Sequence, residues 1–174
     1  MSEKQMVGIC CGRFGNPEAE KARQVATASL VEGLGFRMMS LCEPVRQVAR
    51  TILGGKDPDL NTINGVCITG RRITENYWLN ITVGRINPDC DRVVFCDVFF
   101  SNECRYIRSS GGLVIKITSD AIPEGDFDFD PDVTVGYGSG NTEIAFVEAV
   151  RKTVASFFDR SGGKQHIIAT KESQ

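Results

Sequence analysis

A chain of 174 residues, 41% hydrophobic and 24% charged, has the size and make-up of one globular domain with its own core. Its formal net charge of −2 argues against general binding to nucleic acid or to an anionic membrane. No apolar run nears the roughly 18 residues of a membrane span, and Met1-Ser2-Glu3-Lys4 leads into no secretory signal, so a cytoplasmic protein is expected.

Met6 to Cys11 is an apolar strand that runs into a glycine-rich turn, Gly12 to Gly15. The turn opens a helix. Asn16 suits its N-cap and Pro17 its first position, while Ala22, Val25, Ala26, Ser29, Leu30 and Leu34 recur at helical spacing. Gly33 and Gly35 bracket its end. This layout cradles a phosphate in other proteins, through backbone N–H groups and the positive helix end. A working loop, G-x-x-x-x-G-K-[ST], adds a lysine and a hydroxyl. Here Glu18 stands where the lysine belongs, and Ala19 or Glu20 where the hydroxyl belongs. An acid in the first helical turn satisfies that positive end itself, by about 0.3–1 kcal/mol, and repels a triphosphate.

Phe36 to Leu41 reads as a second strand. Cys42-Glu43-Pro44 starts a second helix with Val45, Val48, Ala49, Ile52 and Leu53 as its inner face, stopped by Gly54-Gly55. Lys56 to Gly65 is rich in turn residues and is expected as a loop, and Thr69 to Ile86 as one helix with Ile73, Tyr77, Trp78, Ile81 and Ile86 along a stripe. Arg92 to Val98 is near-continuously apolar, as strands of parallel sheets are. Ser101 to Ser109 follows as a short helix, then Leu113 to Ile117 as a strand. Asp126, Asp128, Asp130 and Asp132 alternate along an acidic stretch. They lack the glycine and glutamate of a calcium loop and read as a solvated turn. A strand around Val133 to Val135 reaches a second glycine-rich stretch, 136–140, and Asn141 or Thr142 caps a last helix with Ile144, Val147, Val150, Val154 and Phe157 inside. Residues 161–174 form a polar tail beyond a 1–160 domain.

The chain has seven cysteines, no C-x-x-C pair and a single histidine, His166, which argues against zinc and for reduced thiols. Cys10, Cys11, Cys42, Cys96 and Cys104 lie in or beside apolar segments and read as small core residues. Strands alternating with helices predict an α/β domain of three layers around a mainly parallel sheet. Ligands of such sheets collect at the carboxyl ends of the strands, where the glycine turn and Asp97 should meet.

Several stretches together resemble the deoxynucleoside monophosphate (dNMP) kinases of tailed bacteriophages, over roughly Gln5 to Phe158. They are Val7 to Glu20, Ser40 to Arg46, Thr69 to Arg72 with Asn76-Tyr77-Trp78, Val93 to Glu103, and Gly111 to Ile115. The resemblance implies a P-loop-kinase fold. In an active member, ATP and Mg²⁺ serve phosphoryl transfer to a dNMP. It would place Gly12, Gly15 and Asn16 at the phosphate loop and Asp97 at Mg²⁺. Arg46, Arg71, Arg72, Trp78, Asn102 and Glu103 would fall on the monophosphate side. The departures fall on the ATP side. Besides Glu18, Pro17 replaces a loop glycine, Phe99 an arginine, and Thr118-Ser119-Asp120 an arginine-bearing turn.

Phosphoryl transfer depends on positioning and on positive charge around the transferred group. The expected function is therefore a dNMP-kinase-like protein, impaired or inactive in transfer, that retains nucleotide or monophosphate binding. One alternative is an active enzyme in which Arg13 or Lys21 replaces the lysine. Another is an interaction protein, as a homodimer or with a protein partner, that kept only the fold. Each residue also has a plainer role. Asp97 can cap a strand end, the arginines can pair with Glu43 or Glu75, and Trp78 can fill core.

Overall fold

The computed structural model describes residues 4–125, 127–138 and 142–169, with side chains through residue 160. Eleven elements follow one another: β1 (Gln5–Cys11), α1 (Pro17–Leu34), β2 (Arg37–Met39), α2 (Glu43–Ile52), α3 (Leu60–Ile73), α4 (Tyr77–Val83), β3 (Arg92–Phe95), α5 (Ser101–Ser109), β4 (Leu113–Thr118), β5 (Val133–Gly136) and α6 (Glu143–Ala169). The five strands form one sheet in the order β2-β3-β1-β4-β5, every pairing parallel. Central β1 registers Val7 against both Val94 and Leu113.

Alternation along β1 divides the core. Val7, Ile9 and Cys11 face α1 and α6, packing with Ala22, Ala26, Leu30, Phe146, Val150 and Val154. Met6 and Cys10 face the other way, toward Leu79 of α4 and Cys104 and Ile107 of α5. A smaller cluster of Val45, Ile63 and Trp78 ties α2, α3 and α4 together beside the strand ends. The result is the three-layer, P-loop-like α/β fold expected from the sequence, with a sheet that is wholly parallel. No helix among the described residues is long and apolar enough to cross a membrane.

The start of α1 matches its local signals. The Asn16 side chain accepts from Ala19 N at 2.9 Å, Pro17 sits in the first turn, and Gly35 closes the helix in the left-handed region at φ 70°. Five expectations need correction. The loop placed at Lys56 to Gly65 turns helical at Leu60, because Asp59 caps it by accepting from Thr62 N at 2.8 Å and Ile63 anchors it in the third cluster. The single helix placed over Thr69 to Ile86 breaks after Ile73. There Asn102 of α5 donates to Glu75 O and Asn76 Oδ1, holding the turn between α3 and α4. On α2, Val45 and Ala49 are buried but Val48 and Ile52 are exposed, since α3 covers only one side. On α6, Phe146 rather than Ile144 faces the core, with Ile144 72% exposed. That helix also runs to Ala169, through residues placed in the tail. Asp126 and Asn141 fall outside the described residues, as does the side chain of His166.

Candidate functional site

The strands end on one side of the sheet, and the segments leaving them enclose a cavity of about 400 Å³. Phe14 of the β1–α1 turn, Val45 of α2, Ile63 and Arg71 of α3, Trp78 of α4, Phe99, Phe100 and Glu103 near α5, and Phe127 all line it. Its walls are mainly aromatic and aliphatic with a few charged groups, the usual composition of a small-molecule pocket. Phe14 and Phe99 meet edge to face at 5.4 Å between ring centroids.

Asp97 lies at the rim of this cavity and is 7% exposed. Its Oδ1 accepts from Leu41 N at 2.7 Å, and its Oδ2 from Ser40 Oγ at 2.6 Å and Cys42 N at 3.2 Å. The carboxylate therefore clamps the end of β3 to the turn that opens α2. Burial raises its carboxyl from the ordinary value, against the pull of those three donors and the Arg23 charge. Glu103, 5% exposed, reaches back from the first turn of α5 to accept from Phe99 N at 2.9 Å and Phe100 N at 3.1 Å. Burial pushes its carboxyl up to about 8, with the Asp97 charge adding to the effect.

Arg71 is held from two sides. It donates to Asn102 Oδ1 at 3.1 Å, and its guanidinium carbon stands 3.9 Å from the centroid of Phe100. Asn102, buried, joins Arg71 to the α3–α4 turn. Trp78 donates to Cys67 O at 2.9 Å, which fixes the indole as cavity wall. Arg71, Trp78 and Glu103 thus line the one cavity, with Asn102 behind them. Arg46 and Arg72 do not join them. Arg46 lies over Phe14 at 5.7 Å and faces a separate groove, while Arg72 is exposed outside the described cavities.

The glycine turn is crowded at Gly12 and exposed at Gly15. Gly12 has φ 51° and is buried, and a Cβ there would come within 2.7 Å of Ile122 Cγ2 and 2.8 Å of Ala19 Cβ. Gly15, at φ 80°, is exposed, and a Cβ there would approach the tip of the half-exposed Leu60 side chain within 2.7 Å. The Asn16 side chain takes one N–H of the helix start, and Glu18 and Glu20 lie in its first turn. Arg13 is exposed and lines the aromatic cavity, whereas Lys21 is exposed and lines no described cavity. These residues do not fit a magnesium–triphosphate. Ile122 and Ala19 crowd the turn at Gly12, its helix end carries acids, and both oxygens of Asp97 already accept hydrogen bonds.

Two cations were not singled out from the sequence. Arg23 is 3% exposed on the inner stripe of α1, donating to Cys11 O at 2.8 Å and to Glu20 Oε2 at 2.6 Å. Its guanidinium carbon stands 5.3 Å from the Phe99 ring centroid. The sequence signal was available, since position 23 falls between Ala19, Ala22 and Ala26 on the buried face. Lys116 of β4 lines a cavity of about 320 Å³ with Gly12 and Ser119, its ammonium 2.8 Å from Glu124.

Two of the alternating aspartates are fasteners rather than parts of a solvated turn. Asp128 accepts from Ser101 N and Oγ at 2.9 and 3.0 Å, and Asp132 binds Arg108 and Val114 N at 2.8 and 2.7 Å. Among the described residues no three His, Cys, Asp or Glu side chains cluster as a metal site would. The seven cysteines are free, and burial pushes the thiols of Cys10, Cys42 and Cys96 up to about 12 and that of Cys11 up to about 11, far from a reactive thiolate.

The fold and the pocket define a three-layer, P-loop-like α/β protein with a wholly parallel sheet and an aromatic cavity at its strand ends. Compared with models of known families the chain matches none, and no curated protein is similar enough to count as a relative.

Proposed function

We propose that this protein binds a nucleoside monophosphate or a molecule of that size in the cavity at the strand ends, and does not transfer phosphoryl groups. The observation that carries the reading is the pairing of an aromatic pocket of about 400 Å³, with Arg71 fixed in its wall, and a glycine turn crowded at Gly12 by Ile122 and Ala19. Flat rings suit a base, and the Arg71 fork suits an oxyanion. The likeness to dNMP kinases supports the same reading. Calorimetry with each dNMP and with ATP tests it, beside a coupled assay containing ATP and Mg²⁺. Expected are dNMP binding that Arg71→Ala weakens at least tenfold, and no turnover. Turnover at an ordinary kinase rate, near 1–100 per second, refutes it.

A working kinase is the second reading, and Lys116 favours it, being a cation on the strand next to the glycine turn. Loss of turnover in Lys116→Met is its signature. An interaction role is favoured by Val48, Ile52 and Ile73, exposed around one groove between α2 and α3. Light scattering showing a concentration-dependent dimer that Ile52→Asp abolishes marks that case.

A further inference from the structure

Glu103 carries a carboxyl group of which the fold uses one oxygen. The residue is 5% exposed, and Oε2 alone accepts from both Phe99 N and Phe100 N, at 2.9 and 3.1 Å. Oε1 has no hydrogen-bond partner among the described residues. It is not sealed off either, since the buried atoms that lack both a partner and solvent contact lie on other side chains. The one described space that Glu103 borders is the aromatic cavity of about 400 Å³, so Oε1 opens there. Buried polar groups are almost always partnered, and an oxygen left over in the wall of an apolar cavity marks a contact for a ligand to complete.

The fold also sets the polarity of that contact. A carboxyl oxygen has two lone pairs, and two backbone N–H groups occupy those of Oε2. When the group is neutral its proton therefore sits on Oε1, and the cavity meets a hydroxyl donor. Burial favours the neutral form up to a pH of about 8. The charged and titratable groups that face Glu103 are Asp97 at the end of β3 and Arg71 and Cys67 on α3. The Asp97 charge reinforces the neutral form and the Arg71 charge opposes it, while burial keeps the Cys67 thiol protonated and uncharged.

A nucleoside monophosphate has two ends with different demands. Arg71 is half-buried, so a phosphate beside it keeps part of its hydration; Glu103 is buried, so the flat ring is what reaches it. The negative charge of the ligand itself also favours a neutral Glu103.

Resting on the nucleotide reading above, we propose that Glu103 is the ring-binding residue of this cavity: its Oε1 hydroxyl donates to a carbonyl oxygen or an unprotonated ring nitrogen of the base, and the complex holds that proton. Oε2 caps α5, and Oε1 binds the ligand.

The test is calorimetry of the full-length chain with each of the four dNMPs, at pH 7.5 and 8.5, and at pH 8 in two buffers of different ionisation enthalpy. A phosphate with its second pKa near 6 is already ionised there, so a proton taken up on binding goes to the protein. With Glu103 titrating at about 8, uptake of about half a proton at pH 8 is expected, and an affinity that falls about threefold from pH 7.5 to 8.5. In Glu103→Gln the amide oxygen takes over the two backbone N–H groups, and its NH₂ stands where the hydroxyl stood, a donor at any pH. That variant should bind with no proton uptake and no fall in affinity over this range. A dNMP that binds the native chain without proton uptake, or a Gln variant that keeps the pH dependence, overturns this inference and leaves the nucleotide reading standing. Absence of binding by all four dNMPs overturns both.

Discussion

Replacing Asp97 by Asn separates a structural clamp from a metal ligand. The asparagine keeps the shape but offers one acceptor where the carboxylate offers two. If its oxygen takes the place of Oδ2, its NH₂ faces Leu41 N; if it takes the place of Oδ1, its NH₂ faces Cys42 N. Either way one buried backbone N–H loses its partner. A hydrogen bond to a charged group contributes about 1.5–3 kcal/mol, and an orphaned buried donor costs about 1–3 kcal/mol. A total near 3 kcal/mol is expected, discounted for the carboxylate's own cost of burial. For a chain of this length that lowers Tm by about 6–12 °C.

Urea unfolding of both forms at pH 7 measures the difference, with equal slopes required. Ser40→Ala should cost about 1 kcal/mol in the native chain and less in the Asp97→Asn background, because the hydroxyl has then lost its charged acceptor. The coupling should exceed about 0.5 kcal/mol. A carboxylate kept for a metal, by contrast, is a burden on the empty protein, and replacing it leaves stability unchanged or raises it. A loss below about 0.5 kcal/mol, or strict additivity with Ser40→Ala, refutes the clamp.

Glu103 gives a pH signature. Its carboxyl sits at about 8 in the folded protein against an ordinary 4.5, so its contribution to stability is whole below pH 4.5 and is lost as pH rises to about 8. Urea midpoints of the native chain should fall across that window, by up to about 1.4 kcal/mol per pH unit, and Glu103→Gln should flatten the slope. An unchanged slope in the variant removes Glu103 as the cause. Gly12→Ala combines a positive φ with contacts under 3 Å and should cost about 2 kcal/mol or more, so a variant of native Tm would show that the turn is open. Phe146→Ala should cost about 3–5 kcal/mol and Ile144→Ser stay within about 0.5 kcal/mol; the reverse order would place α6 a residue out of phase.

The elements legible in the sequence are those whose signals are local. Asn16, Pro17 and Gly35 delimit α1 within a few residues of chain, and the unbroken apolar run of β3 identifies an interior strand by itself. What escaped is decided at a distance. The break between α3 and α4 is imposed by Asn102 from another helix, and nothing between Ile73 and Tyr77 announces it. Leu60 begins a helix inside turn-rich sequence because Ile63 finds Val45 and Trp78. For the site, the aromatic and charged residues of Val93 to Glu103 stood out. Their division was not visible, with Arg71 turned to one cavity and Arg46 to another. That division follows from the Asp97 clamp, which draws the start of α2 against β3 and leaves a space on either side.

The register of β1 has a consequence in time. Gln5 pairs with Arg92, and Val7 with Leu113, so the central strand of the sheet is made first and its partners come roughly ninety to a hundred residues later. At a synthesis rate of about 5–20 residues per second, β1 waits some 4–20 s without a neighbour. Through that interval the ribosome-bound chain presents Met6 to Cys11 as an unpaired apolar edge, the kind of surface that chaperones hold and that aggregates recruit. Its yield in a cell should therefore depend on what shields those six residues while β3 is still being made.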